Sequence, residues 1–320
     1  MKIHLPNSAH LQNIEGFIRR YEVSTPSLDI SSHDKYIHVH PFALAMTACA
    51  AVTTREQGHQ IASSIHDVPS LPYLIRMRLF EHLGIQPPKQ IVEHEEAGRF
   101  IPLTRINDAT DLKRVITDLV PLLHATPAVA DPIRYVFSEL GRNVLEHARA
   151  GTGAFVCAQY FKDSKRIAIG IADSGVGILR SIRRSHNPTN ESEAIYMALT
   201  PGISGATPRI GGNETNAGAG LYFIKSIAQL SENYFVIYSG STLFKLLKPQ
   251  GTQKTLAGDP RLNAHSLVAD LPHWQGTVVG IDISVDETAD FSSLLNDIRR
   301  SYALDVRARK KAYYKRIRFV

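Results

Sequence analysis

The feature that most limits how this 320-residue chain can fold is the run Ile85-Gln86-Pro87-Pro88-Lys89. Adjacent prolines fix two φ angles and remove two backbone donors, so neither a helix nor a central strand passes easily through them. The run predicts a small unit over 1–88, a larger one over 89–285, and a C-terminal segment over 286–320. No repeat or low-complexity segment interrupts this division. With 43% hydrophobic and 21% charged residues, ordinary globular packing is expected. No apolar run reaches the ~18 residues of a membrane span. The opening MKIHLPNSAHLQNIEGF lacks the apolar stretch of a secretory signal. Cys49 and Cys157 are distant and form no CxxC pair. Reduced thiols and a cytoplasmic setting are therefore expected, with no membrane partner.

The net charge of +6 is local. Residues 307–320 hold seven bases and no acid: Arg307, Arg309, Lys310, Lys311, Lys315, Arg316 and Arg318. Without them the body carries −1. A basic segment interleaved with Tyr313, Tyr314 and Phe319 can attract nucleic acid or an acidic partner, or it can be a solvated helix end.

Before the prolines, Tyr36–His40 alternates like a short strand, Phe42–Val52 reads as a buried helix, and Leu71–Leu83 as a second helix. After them, Phe100–Ile106 reads as a strand, and Asn107-Asp108 as the cap of a helix reaching about His124. Another helix, with Pro132 near its start, runs to about Ala150. Strands over Ala154–Phe161 and Arg166–Ala172 follow. A long Gly/Ser/Thr/Asn-rich loop then spans Gly175–Gly220, holding one short helix near Glu191–Leu199. A helix over Leu221–Leu230, a hairpin at Ser239-Gly240-Ser241 and a strand near Gly276–Ser284 complete the pattern. His38 and His40 would share one strand face, but two His without a third ligand read as structural. Cys157, in an apolar strand, reads as a small hydrophobe.

Three segments carry chemistry. On the helix containing Ser138–His147, the residues Glu139, Asn143, Glu146 and His147 fall within roughly a 100° arc, beside Val136, Leu140 and Val144. Ala172-Asp173-Ser174-Gly175-Val176-Gly177-Ile178 places a carboxylate at a strand end, followed by glycines that let a flat ring approach the backbone. Gly211–Leu221 contains Gly218-Ala219-Gly220 at a helix start, where bare N–H groups and the positive dipole end favour an anion. Each segment alone is as readily a solvent-facing stripe or a turn.

In this order and spacing, the three segments resemble the asparagine box and the two glycine-rich boxes of the GHKL superfamily. That superfamily groups gyrase, heat-shock-chaperone, histidine-kinase and mismatch-repair ATPases. Gly276-Thr277 is similar to the family's Gly-Thr before its last core strand, so the resemblance covers about 100–284. It implies a Bergerat-type α/β sandwich, a mixed sheet with helices on one face, and ATP and Mg²⁺ as ligands. By that resemblance Asn143 is the Mg²⁺ ligand, and Glu139 orients or activates the attacking water or acceptor. Asp173 accepts from the adenine amino group, Gly175 and Gly177 allow close approach of the base, and Thr277 helps through a water. Gly218, Ala219 and Gly220 bind phosphates through their N–H groups, and the loop from Ile178 to Gly218 is the lid. Arg209, the one base between His186 and Lys225, is a candidate lid contact to phosphate.

Residues 1–88 resemble STAS domains of the anti-anti-sigma type, a small α/β fold, but the turn His40-Pro41-Phe42-Ala43 lacks their phosphorylatable hydroxyl. The anti-sigma Ser/Thr kinases, similar in their ATP domain, phosphorylate a STAS partner. The segment His94–Arg99 lies too close to the asparagine box for a sensor-kinase dimerisation hairpin, which argues against a histidine autokinase. The expectation is an ATP-binding signalling or regulatory protein, an ATPase or protein kinase, acting with a protein partner or as a homodimer. The alternatives are a non-catalytic, ATP-gated interaction module and a nucleic-acid adaptor working through Arg307–Arg318.

Overall fold

The computed structural model of the chain describes residues 1–23, 25–91, 100–119, 126–148, 150–211, 218–248, 256–284 and 291–317. The N-terminal part runs β1 (Lys2–Leu5), α1 (Glu15–Ile18), β2 (Leu28–Ser32), α2 (Pro41–Glu56), β3 (Ile61–Ser64), α3 (Leu71–Arg76) and α4 (Leu79–Leu83). Its three strands form a parallel sheet in the order β1-β2-β3, with Ile3 beside Ile30 and Ile30 beside Ser63. The rest comprises β4 (Phe100–Ile106), α5 (Ala109–Arg114), α6 (Pro127–Asn143), β5 (Ala154–Phe161), β6 (Arg166–Asp173), α7 (Gly177–Ile182) and α8 (Glu191–Ala198). It continues with α9 (Gly220–Leu230), β7 (Phe235–Gly240), β8 (Thr242–Leu246), β9 (His265–Val268), β10 (Trp274–Ser284) and α10 (Phe291–Ile317).

The expectation of a mixed sheet is corrected, while the helices of the larger unit do pack on one face and α2 of the N-terminal part covers the other. The seven strands, ordered β4-β5-β6-β10-β7-β8-β9, pair antiparallel throughout, and helices cover both faces. The period of two along β6 explains this. Ile167, Ile169 and Ile171 face a core shared with α6, α9 and α10, while Ala168, Gly170 and Ala172 face the other way. That second face is shallow enough to seat α2. A Cβ on Gly170 would stand 2.2 Å from the Pro41 carbonyl carbon. With both faces covered, the central strands read as continuous apolar runs, without the alternation of a half-exposed sheet.

Helix α2 is apolar on all sides because it lies between the two sheets, with Phe42, Leu44, Met46 and Cys49 fully buried. One hydrophobic cluster therefore joins Ile3, Leu5 and Ile30 to Phe155, Val236 and Val278, across the Pro87-Pro88 boundary. A buried polar contact accompanies it. His40 accepts from the Phe42 N–H through Nδ1 (3.0 Å), capping α2. Its Nε2 then donates to Asp282 Oδ1 at 3.3 Å, and Arg166 donates to Asp282 Oδ2 at 3.0 Å. Burial works to raise the Asp282 pKa, but the His40 hydrogen bond and the Arg166 charge outweigh it and hold the group low.

Several local expectations change. Tyr36–His40 is not a strand; only Val39 bridges, to Ala9. Leu71–Leu83 is broken into two helices at Arg78, whose φ of 57° no continuous helix accepts. Helix α6 begins at Pro127, so Pro132 lies inside it. Asp108 does cap α5, accepting from Thr110 and Asp111 N–H, while residues 120–125, into which that helix was expected to run, lie outside the described residues. The Gly175–Gly220 loop contains α7 as well as α8, and β9 was not expected. No described helix is long and apolar enough to cross a membrane.

Candidate functional site

The front face of the seven-stranded sheet ends in two paired residues. Asp173, last in β6, lies opposite Thr277 in β10, and the period of two turns both side chains toward the core face that holds Ile171 and Val279. Helix α6 crosses above them and carries Leu140 and Asn143, with Val144 just after its end. Helix α7, the segment Ile203–Gly205 and the start of α9 close the remaining sides. The result is a cleft of about 120 Å³, far more than one structural water needs.

Seven of the nine expected site residues line this cleft: Asn143, Asp173, Gly177, Gly218, Ala219, Gly220 and Thr277. Glu139 stands at its edge, with Oε2 beside Gly220. Gly175 does not line it; its N–H donates to Asp173 Oδ1 at 2.8 Å, and its Cα is pressed against the Ala148 carbonyl. Residues from Glu139 to Thr277 are thus brought together because β6 and β10 are neighbours and α6 packs over β6.

Asp173 is only 3% exposed. Burial raises its carboxyl to a pKa of about 7, against the opposing pull of the Gly175 and Thr277 backbone N–H groups. Glu139 is also raised by burial; Arg142, at 3.5 Å, opposes this and Glu146 adds to it. Asn143 Nδ2 is buried with no hydrogen-bond partner, an unusual state for a side-chain amide inside a protein. No protein-family model matches the chain, and no curated protein matches it significantly. The geometry therefore stands by itself: a buried carboxylate at an apolar dead end, an orphaned amide, and a glycine-flanked helix start around one opening.

The wheel reading of the first segment holds only as far as Asn143. Val144–Ala148 is a π turn, and Val144 and Ala148 within it still line the cleft. Glu146 is exposed there, and the His147 side chain lies outside the described residues. The π turn also brings the Ala148 carbonyl to accept from Val176 N–H (2.7 Å), tying α6 to the loop after Asp173. Arg209 is exposed and does not line the cleft, and residues 212–217 and His94 lie outside the described residues.

Other residues were missed by the sequence. Ser239 Oγ accepts from Ile178 N–H (3.0 Å) and donates to the Gly276 carbonyl (2.7 Å), pinning α7 to β10. Trp274 Nε1 donates to the Asp173 carbonyl at 3.1 Å. Ser181, Ser204 and Gly205 line the cleft without any local motif to announce them. Among the described residues no group of three or more His, Cys, Asp or Glu could hold a metal. A cation bound through Asn143 would need most of its oxygens from elsewhere, which suits Mg²⁺ carried by phosphates.

Proposed function

We propose that the chain binds Mg-ATP in this cleft and uses it to regulate a protein partner, hydrolysing it slowly or passing on its phosphate. The observation that carries this reading is the meeting of Asp173, Asn143 and Gly218–Gly220 around one opening, with Asn143 Nδ2 left unpaired. Asp173 would accept from the exocyclic amino group of adenine, with Ile171, Ile178 and Val279 against the ring. The bare N–H groups at the start of α9 would hold phosphate oxygens. Asn143 would offer its amide oxygen to Mg²⁺, and Glu139 would orient the attacking hydroxyl or water. Mg²⁺ would supply charge neutralisation, the main requirement of phosphoryl transfer. The chain resembles the GHKL superfamily in these residues, and a Bergerat-type arrangement belongs to the same reading. So does the STAS-like N-terminal part, which would dock a partner or regulate the site, since its turn at His40-Pro41 offers no hydroxyl to phosphorylate.

Titration calorimetry with Mg-ATP tests it. Wild-type binding that is lost or reduced more than tenfold in Asp173→Ala and Asn143→Ala supports the site; equal binding in all three sinks it. Following γ-labelled ATP in wild type and Glu139→Ala then separates hydrolysis, protein phosphorylation and simple binding. A second reading, an ATP-gated interaction module without turnover, is favoured by the Arg142 guanidinium already engaging Glu139.

A further inference from the structure

We propose that the cavity between the C-terminal helix and the segment 202–210 is a second ligand site, taking a small organic carboxylate with an apolar body. This cavity measures about 410 Å³, within the ~300–1,000 Å³ of small-molecule sites. Its lining divides by chemistry. Ile203, Pro208, Ile210 and Ala312 offer an apolar bed, while Arg309, His186 and Tyr313 supply polar atoms. Apolar surface with a few polar groups is the mixture that holds and orients a small molecule. The charge selects an anion. No described carboxyl lines the cavity, and residues 307–320 hold seven bases and no acid. Asp305, the one acid within a turn of Arg309 on that helix, lies against Gly258. The planar fork of Arg309 suits a carboxylate, which it can grip through two parallel hydrogen bonds. One guanidinium balances one negative charge, so a carboxylate fits better than a doubly charged phosphate.

Both walls are in place without a ligand. Helix α10 is anchored along α9: Ile298 is fully buried, Tyr302 packs on Phe223, and Tyr222 Oη donates to Ser301 Oγ at 3.0 Å. Val306 then closes on Gly202, 2.9 Å from where a Cβ would be. On the other wall, His186 Nε2 donates to the Ser204 carbonyl (3.0 Å) and Ser185 Oγ to the Gly205 carbonyl (2.9 Å). These bonds tie the segment to the turn after α7. The same segment is also a side of the cleft. Ile203 lines both cavities, and Ser204 and Gly205 line the cleft. Gly202 N–H donates to the carbonyl of Gly218 (3.1 Å), which lines the cleft as well. A ligand on one side of Ile203 therefore bears on the wall of the other, which places the cavity to act as an effector site.

The site stands apart from the ATP reading; its coupling to the cleft rests on that reading. The test uses the full chain without nucleotide. Benzoate, phenylacetate and indole-3-acetate, each beside its uncharged amide, are titrated by saturation-transfer NMR and calorimetry, with thermal melts as a control. At least one acid should bind saturably and about tenfold more tightly than its amide, as for one charge-assisted contact. Arg309→Gln should lose about that factor, Arg309→Lys less, and Ile210→Trp should abolish binding by filling the space. Asp173→Ala, altered only in the cleft, should bind the acid as wild type does. No saturable binding of any acid, acid and amide bound alike, or Arg309→Gln binding as tightly as wild type overturns the site. Mg-ATP titrated with and without saturating acid should then differ in affinity by about fivefold or more. An equal affinity overturns the effector role. A wild type that binds the acid but no Mg-ATP overturns the ATP reading and the coupling with it, and leaves the carboxylate site in place.

Discussion

Gly220 stands directly against Glu139: a Cβ on Gly220 would lie 2.9 Å from Glu139 Oε2, with the unpaired Asn143 Nδ2 only 3.3 Å away. The start of α9 and the polar face of α6 thus meet with no room for a side chain between them. Gly220→Ala should lower nucleotide affinity at least tenfold by displacing both polar groups. Alanine is the better helix former by about 1 kcal/mol, so the melting temperature should move by no more than about 2 °C. Calorimetry beside a thermal melt checks both, and an unaltered affinity would remove these two side chains from the site.

Binding should depend on pH through Asp173. Its carboxyl rises from 3.8 to about 7 through burial, so the folded chain holds this proton more tightly than the unfolded one. The stability that this provides is complete below about pH 4 and is lost as pH rises through 7. Ligand binding runs the other way, because the ionised carboxylate is the better acceptor for an amino group. Adenosine, which has no phosphate to titrate, should bind up to about tenfold more tightly at pH 8 than at pH 6. Asp173→Asn should bind weakly and without that slope, yet melt at pH 8 no lower than wild type.

The His40–Asp282 contact should be a major stabilising element between the N-terminal part and the sheet. His40→Ala leaves the Asp282 carboxylate buried with only Arg166 as its partner, and should cost about 3 kcal/mol in urea unfolding at neutral pH. Because Asp282 is held below its usual pKa, its stabilising contribution is present at neutral pH. It is lost as pH falls through the lowered folded value. Asp282→Asn should flatten the acid side of the stability profile; an unchanged profile would place the acid sensitivity elsewhere.

Gly170→Ala should destabilise by about 3 kcal/mol or more. The added methyl meets the backbone of Pro41 and Phe42 at 2.2–2.4 Å, and backbone at a capped helix start cannot step aside as a side chain can. Chemical denaturation measures it. A cost under about 1 kcal/mol would mean that α2 slides on the sheet.

Elements whose signal is local were legible in the sequence. Phe100–Ile106 and Ala154–Phe161 are strands over those bounds, and Asp108 caps its helix. Each rests on contiguous apolar residues or on one side chain folding back on nearby backbone. The failures are places where a distant partner overrides local preference. Tyr36–His40 alternates as a strand would, yet His40 is turned into the helix cap and toward Asp282, 242 residues away. Ile178 begins to read as loop after two glycines, yet Ser239 from another strand holds the N-terminus of α7 in place.

The sequence by itself shows which candidate polar side chains lie near one another along the chain. Asn143 and Glu139 are four apart on one helix, Asp173 ends an apolar strand, and glycines open the helix at 220. Spacing along a helix or strand fixes direction over a turn or two, and that much is written locally. Only the tertiary structure decided that these groups share one cleft, because antiparallel pairing of β6 with β10 sets Thr277 beside Asp173. It alone seated α2 on the back of the sheet and set Arg309 and Ile203 around one cavity. Such contacts come from packing large buried surfaces, and no short stretch of residues encodes which distant surface will be its complement.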